Sequence, residues 1–436
     1  MDFDKINIDA VSYNVKDSTA RQQISDEITA RKQADTQLSQ KIGTETTERK
    51  QADTQLSQQI NAETTARKQA DTALSQQIEN LKAVSVKTVR DYGAKGDGTT
   101  NDTAAFTAAL SATGVAIVPP GTYLIGTITL SENQKILGMG RYKTVLKYHG
   151  NSAVFSISGP NCEIADLTID GNGQASDGII NNGYKDCYLH SLEILKCAQN
   201  GIYMRPTSTE TATSGVSHLE NIRSYLNGKY GIFIDHVADV CLIAVECVSN
   251  SQQEDNVYAN MEIRGCAVKC VNSHFWNIND SAGYKRPRTS VEISSDANDS
   301  EFTNCHIEGG RDTNLAIGSG CARNRFTNCM FYASFGSVSV WNAGWQTSFI
   351  GCSFSGQAVD PVTKPAWDAV FSGDNQVSRM VCTNCVFIGT KISSKPVNSS
   401  VISGFIDGPL NEYLPTKANC LISVVNGSGA VETFGY

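Results

Sequence analysis

Two glutamates pose the chemical question. Glu262 and Glu292 stand in the short segments "MEI" (261–263) and "VEI" (291–293), each between two apolar residues. Such alternation puts the flanking side chains on one face of a strand and the carboxylate on the other. On neighbouring strands about 4.8 Å apart, the two carboxylates would repel and push one pKa upward. Carboxyls about 5–5.5 Å apart suit a retaining glycosidase, one as acid/base and one as nucleophile. The matching outward positions hold Tyr203 and Phe233 upstream, an aromatic surface for sugar faces, and Ala316, Ser339 and Val370 downstream. A second outward row reads Arg205, Asp235, Arg264, Ser294 and Gly318. Asp235 is then a third catalytic acid, and Arg264 a group to bind an acidic sugar or hold a carboxylate.

Long polar insertions fall beside these positions. They are "SNSQQEDNVYAN" (249–260), "NINDSAGYKRPRT" (277–289) and "GQAVDPVTKPAW" (356–367). Loops raised along one face of a rigid scaffold wall a groove, and functional residues concentrate on them. They contribute Glu254, Asp255, Asp280, Arg286, Arg288 and Trp367 as substrate-binding residues. The loop "PTSTETATSG" (206–215) reads as a plain surface excursion.

The scaffold itself is written as a repeat. "FTNCHI" (302–307) returns as "FTNCMF" (326–331), more loosely as "FIGCSF" (349–354) and "CTNCVF" (382–387). In the form apolar-x-x-apolar-x-apolar it extends back through Ile164/Leu167/Ile169, Leu189/Leu192/Ile194, Leu219/Ile222, Leu242/Val245/Cys247 and Val268/Val271. A second apolar strand follows in each unit, after Asn, Gly, Ser and Asp turns. Spacing by two excludes helical repeats, and units of roughly 23–34 residues predict a parallel right-handed β-helix with capped ends. Leu167, Leu192, Ile222, Val245 and Val271 are expected to fill one inward column that Cys305, Cys329, Cys352 and Cys385 continue. The fourteen cysteines then act as small buried hydrophobes. Only Cys382 and Cys385 form a C-x-x-C pair, without the second half of a zinc ribbon, and the six histidines are scattered singly. No metal and no cofactor is expected.

One segment carries a family resemblance. "VRDYGAKGDGTTNDTAAFTAAL" reads as a short strand, a Gly-rich turn and a helix begun near Asn101 or Asp102, with Ala105, Phe106, Ala109 and Leu110 on its apolar face. "VAIVPPGTYLIGTITL" and "ILGMGRYKTVLKY" follow as first rungs. This run resembles the opening of the pectate-lyase-like β-helix found in tailspike depolymerases of tailed phages and, more distantly, in polygalacturonases. The paired aspartates and Gly-His-Gly of polygalacturonases are not visible, so the resemblance implies a fold and a substrate class rather than a mechanism. "GMGRYKT" lacks the order of a phosphate loop, which sets nucleotide binding aside.

The N-terminal segment is built differently. "ARKQADTQLSQKIGTETT" from residue 30 recurs as "ERKQADTQLSQQINAETT" and "ARKQADTALSQQIENLK", a period of 18 residues. Ala34, Leu38 and Ile42 return as Ala52, Leu56 and Ile60, then as Ala70, Leu74 and Ile78. Eighteen residues make about five whole helical turns, so the same face recurs without supercoil drift. One narrow apolar stripe on a polar helix needs partner helices. Since tailspike-like β-helices are trimers, the resemblance implies a homotrimeric stalk, with coiled helices spanning roughly 95 Å.

A net charge of −8 argues against a nucleic-acid partner. No stretch approaches the ~18 apolar residues of a membrane span, and the opening "MDFDKINIDAVSYNVKDS" reads as no secretory signal. The expected organisation is a virion-docking segment (1–18) that meets other tail proteins, and a trimeric helical stalk (19–83). A cap with the first rungs (84–146), a β-helix receptor or substrate domain (147–408) and an end segment (409–436) follow. The resemblance implies a virion tail protein, made in the host cytoplasm, that binds and depolymerises host surface polysaccharide of the capsule or O-antigen class. Stacked carboxylates favour an endo-acting hydrolase over a lyase. The alternative is a non-enzymatic receptor-binding adhesin on the same scaffold.

Overall fold

The computed structural model describes the chain apart from residues 1–4, 9–10, 15–17, 84–85, 207–215, 278–282, 333–337, 356–368, 373–376, 379, 389–390, 394–396, 399–400, 408–420, 427–430 and 436. It divides into two units, Met1–Val86 and Lys87–Tyr436. In the first, strands Lys5–Ile8 and Val11–Asn14 pair antiparallel. A helix of 66 residues, Ser18–Ala83, follows. Its Ala-, Gln-, Lys- and Glu-rich composition favours helix throughout. Equivalent threonines of the three repeats, Thr36, Thr54 and Thr72, donate to the carbonyls of Lys32, Lys50 and Lys68 at 2.8 Å each. Ile24, Ile28, Leu38, Ile42, Leu56, Ile60 and Leu74 of its apolar stripe remain exposed. No helix among the described residues is long and apolar enough to cross a membrane.

The second unit is a parallel β-helix. Its capping helix, Thr103–Thr113, buries Ala105, Phe106, Ala109 and Leu110 as its spacing predicts. Asn101 takes the capping role, accepting from the Thr103 N–H at 3.1 Å. The Asp102 carboxylate instead accepts from the N–H groups of Lys95 and Gly96, tying down the Gly-rich turn. One wall of the solenoid is an eleven-stranded parallel sheet running from Ile128–Leu130 to Lys391–Ser393. The other wall is a ladder of strands that bend at a corner, continuous in Glu163–Asp170 and divided in Glu301–Thr303 and His306–Glu308.

That corner explains the asparagine of the repeat. One residue per rung takes a left-handed conformation there: Asp166, Ser191, Asn221, Ala244, Asn272, Asn304, Asn328, Gly351 and Asn384. Asn and Gly tolerate this region best. The corner N–H groups of Asn272, Asn304 and Asn328 each donate to the next rung, at 3.0, 3.0 and 2.8 Å. In "FTNC" the Phe and Cys therefore point inward, the Thr outward, and the Asn turns the chain.

Inside, like stacks on like. Phe302, Phe326 and Phe349 lie 4.9 and 5.0 Å apart, and Phe331 lies 4.8 Å from Phe354. Each fully buried phenylalanine contributes on the order of 2–3 kcal/mol. Every described cysteine is a free thiol, and burial pushes the thiols of Cys197 and Cys247 up.

Three details depart from the sequence reading. Cys270, not Val268, occupies the column of Leu242 and Phe302, so Ser273 fills the cysteine column and Val271 faces out. The strand after Leu315 is "VSVWN", with Val340 beside Leu315 and Trp341 beside Ala316. Ser339 and Val370 are consequently buried, and Trp341 and Ser372 hold the outward row. Third, the end segment, in which the sequence shows a single apolar strand, "CLISVV" (420–425), carries two: Leu421–Asn426 pairs antiparallel with Val431–Gly435. In the first two cases a short apolar run fits two registers equally well, and only the neighbouring rung decides.

Candidate functional site

The eleven-stranded sheet assembles the expected row. Tyr203 pairs with Phe233, Phe233 with Glu262, Glu262 with Glu292, and Glu292 with Ala316. Each sits between inward apolar neighbours, which is why these side chains are turned out. The two glutamates are stacked in register on adjacent rungs, but their surroundings differ.

Glu262 is enclosed. Its side chain is 3% exposed and bound at Oε1 by Arg264 Nε at 2.6 Å, while Ser294 Oγ donates to the same oxygen at 2.8 Å. Tyr230 packs alongside; burial, then the Glu262 charge, pushes its phenol up. Arg264 also lies over the Phe233 ring, 4.8 Å from its centroid. Tyr203 covers Phe233 by parallel stacking at 5.0 Å. The sugar-stacking face expected of Phe233 is thus occupied from within, leaving that residue 8% exposed. Asp235 accepts from the Tyr203 hydroxyl at 3.0 Å and contacts His236 Nδ1 at 2.6 Å. Burial and the Asp235 charge push the Tyr203 phenol up to about 12.

Glu292 stands at an opening. Arg288, in the loop just before the Thr289–Ile293 strand, reaches forward to both carboxylate oxygens, at 2.5 and 2.6 Å. Burial pushes the Glu292 carboxyl above its ordinary range, the neighbouring Glu262 charge adds to this, and Arg288 opposes both. A cavity of about 400 Å³ lies beside it, lined by Arg288, Thr289, Glu292, Asp312, Thr313, Ala316 and Trp341. The hydroxyls of Thr289 and Thr313, stacked in register, are buried there without a hydrogen-bond partner. Unsatisfied buried hydroxyls are uncommon in folded chains.

The loops lace to one another. Arg286 N–H donates to Asp255 Oδ1 at 2.9 Å, Asn256 N–H donates to the Arg286 carbonyl, and Arg288 N–H donates to the Tyr258 carbonyl. Arg311 completes the lacing with an ion pair to Asp255. Arg286 is buried, while Glu254 is exposed away from the cavity lining. Asp280 and Trp367 lie outside the described residues. The structure therefore brings Arg288 to Glu292 and Arg264 to Glu262, and places Asp235, Tyr203 and Phe233 on rungs further up. Sequence reasoning missed Trp341, Asp312 and the two threonines. Trp341 was legible as an outward aromatic only in the correct register.

Residues 86–161 match the family described as rhamnogalacturonase A/epimerase, pectate lyase-like. The fold is a pectate-lyase-like β-helix. The pre-neck appendage protein of Bacillus phage phi29 is 32% identical over 147 residues, covering 29% of this chain and 17% of that protein's length. The A-module of the mannuronan C-5 epimerase AlgE4 of Azotobacter vinelandii superposes with a TM-score of 0.52 at 17% identity, over 77% of this chain and 99% of that one. Tailspike protein 2 of an Escherichia coli O157:H7 bacteriophage gives a TM-score of 0.54 at 11% identity, over 71% of this chain and 43% of that one. The pectate-lyase-like solenoid of this chain is thus the architecture of phage tailspikes and of alginate epimerase modules alike.

Proposed function

We propose that this chain is a phage tail-appendage protein that binds and cleaves host surface polysaccharide, with its reaction at the cavity beside Glu292. The observation that carries the reading is the pairing of a carboxyl pushed up in pKa with an aromatic-walled cavity that holds two unpartnered hydroxyls. A carboxyl whose pKa is raised holds its proton more firmly, which suits it to protonate a glycosidic oxygen. The cavity falls within the ~300–1,000 Å³ of small-ligand sites, and Trp341 offers a flat apolar wall to a sugar.

Glu262 is too enclosed to reach substrate as a nucleophile. In this reading it acts through Glu292, its charge disfavouring ionisation of its neighbour. Asp312, the other carboxylate on the cavity wall, takes the part of base. Glu292 gives its proton to the leaving oxygen as the bond to the anomeric carbon breaks. Asp312 removes a proton from the water that attacks the opposite face, and the product anomer is inverted. Arg288 swings from Glu292 toward the substrate as the proton is held.

The stalk of residues 18–83 joins three copies in this proposal, and the N-terminal segment docks on other tail proteins. The alternative, a non-enzymatic adhesin, is favoured by one observation: each glutamate is already neutralised by an arginine. Incubation with capsule and O-antigen preparations, read by new reducing ends and by NMR of the product anomer, separates the two. The proposal expects inverted oligosaccharide from the native chain and none from Glu292→Gln or Asp312→Asn. Binding without release supports the adhesin; undiminished release by both variants removes the site.

A further inference from the structure

The bent wall of the solenoid carries a cluster that no part of this reaction uses. His274 and His306 are 32 residues apart in sequence yet are register partners on adjacent rungs. Their rings stack at 4.6 Å and 3°. The sequence reading had the histidines scattered singly; one turn of the solenoid brings these two together. Glu308, two residues beyond His306 on the same strand, places Oε1 3.1 Å from His274 Nε2 and Oε2 3.4 Å from His306 Nε2. All three ligand atoms lie within 4.8 Å of one another.

A simple ion pair does not account for this geometry. The Nε2 of His306 is shielded from solvent and makes no hydrogen bond, an unfavourable state for a buried polar atom. Zinc bonds of roughly 2.0–2.2 Å to nitrogen and oxygen, at tetrahedral angles, set neighbouring ligand atoms about 3.3–3.5 Å apart. The two contacts to Glu308 already have nearly that length. Small rotations about the Cβ–Cγ bonds would open the parallel rings so that one ion lies near both planes. Trp276 walls the site, its ring 5.7 Å from that of His274, and is itself anchored by donating to Glu246 Oε1 at 2.7 Å. Glu246 in turn pairs with Arg223 at 3.2 Å. Such outer contacts orient ligating groups.

We propose that His274, His306 and Glu308 form a three-ligand site for a divalent transition ion of the zinc type, its fourth position open to solvent. Two imidazoles and one carboxylate suit zinc and its neighbours rather than calcium or magnesium, which take oxygen ligands. The ion would bridge two successive rungs and stabilise the coil by mass action.

The test uses the full chain in a Cys266→Ser background, which removes an exposed thiol, after dialysis against a chelator. Calorimetric titration with Zn²⁺ should give one site per chain, not displaced by excess Mg²⁺ or Ca²⁺, and Zn²⁺ should raise the melting temperature. His306→Gln and Glu308→Gln should each weaken binding at least tenfold and abolish the thermal shift while melting cooperatively without metal. His190→Ala, which alters the separate His190–Glu163 pair, should bind as the parent does. Equal Zn²⁺ affinity in the parent and both Gln variants, or no binding by the parent, overturns the proposal. Neither result bears on polysaccharide cleavage, because the glutamate site lies on the other sheet.

Discussion

Glu262 and Glu292 stand side by side on adjacent rungs, yet each carries its own arginine: Arg264 from two residues beyond, Arg288 from four residues before. The result is a compact group of two positive and two negative charges, one pair enclosed and one at the cavity. Removing Arg264 leaves an enclosed carboxylate unpaired, which costs about 3 kcal/mol or more. Arg264→Ala should therefore lower stability in urea by about that amount. Adding Glu262→Gln should recover much of the loss. Arg288→Ala should cost less, because Glu292 can relieve its charge by taking a proton. Equal losses in the two single variants would contradict this division of roles.

The raised pKa of Glu292 has a definite sign in stability. Below the ordinary value, 4.5, the carboxyl is protonated in both folded and unfolded chains and imposes no penalty. As pH rises from there through the folded pKa, the unfolded state ionises first, and the folded state loses stability. Above that window the loss is complete. Glu292→Gln should accordingly match the parent near pH 4 and melt higher than it near pH 7, with denaturation scans at both values as the check. If Glu292 is the acid, the descending limb of kcat/KM should report the same group.

Trp341 separates recognition from folding. Trp341→Ala should weaken oligosaccharide binding about tenfold, or 1.4 kcal/mol, measured by calorimetry, with a small change in melting temperature. Ser339 is buried and accepts from Asn314 Nδ2 at 3.3 Å, so Ser339→Val should reduce stability and leave affinity unchanged. The reverse pattern would return the outward row to the register first read from "VSV".

The corner asparagines give a backbone test. Asn328 has a φ of 51°, close to the 53° of Asn304 at the same corner one rung before. Asn328→Ala should cost about 1–2 kcal/mol from left-handed strain alone. Asn328→Gly should fall nearer the parent, since Gly351 occupies the same corner in the next rung. Chemical denaturation of the two variants decides whether strain or the side-chain amide matters.

What the sequence made legible follows from how the fold repeats itself. A strictly periodic solenoid writes its inward columns into the chain, so the coil, the capping helix and the stacking of Glu262 on Glu292 could be read. Register failed at "VSV" and at Val268–Val271, where alternating apolar residues fit two alignments. The asparagine corner was visible as a letter but not as a left-handed φ. Arg264 could be read as a holder of a carboxylate, and it binds Glu262; the pairing of Arg288 with Glu292 escaped because Arg288 lies in a loop whose path the sequence leaves open. The meeting of His274 with His306 needed the length of one particular rung.

The stalk offers the last test. Leu38, Leu56 and Leu74 recur at one position of the repeat and are 57, 54 and 55% exposed in the single chain. Burying a leucine contributes roughly 1.5–3 kcal/mol, so three copies packing these stripes would gain substantially from each layer. Between the apolar layers the stripe is interrupted by polar residues, which makes each leucine layer matter more. Leu56→Glu would place like charges at the axis of a parallel trimer. It should lower the mass found by light scattering from three chains toward one, with the β-helix melting transition retained. Exposed substitution on the polar face, such as Gln58→Glu, should leave three chains associated. A single-chain mass for the unaltered protein would show that the stripe faces some other partner.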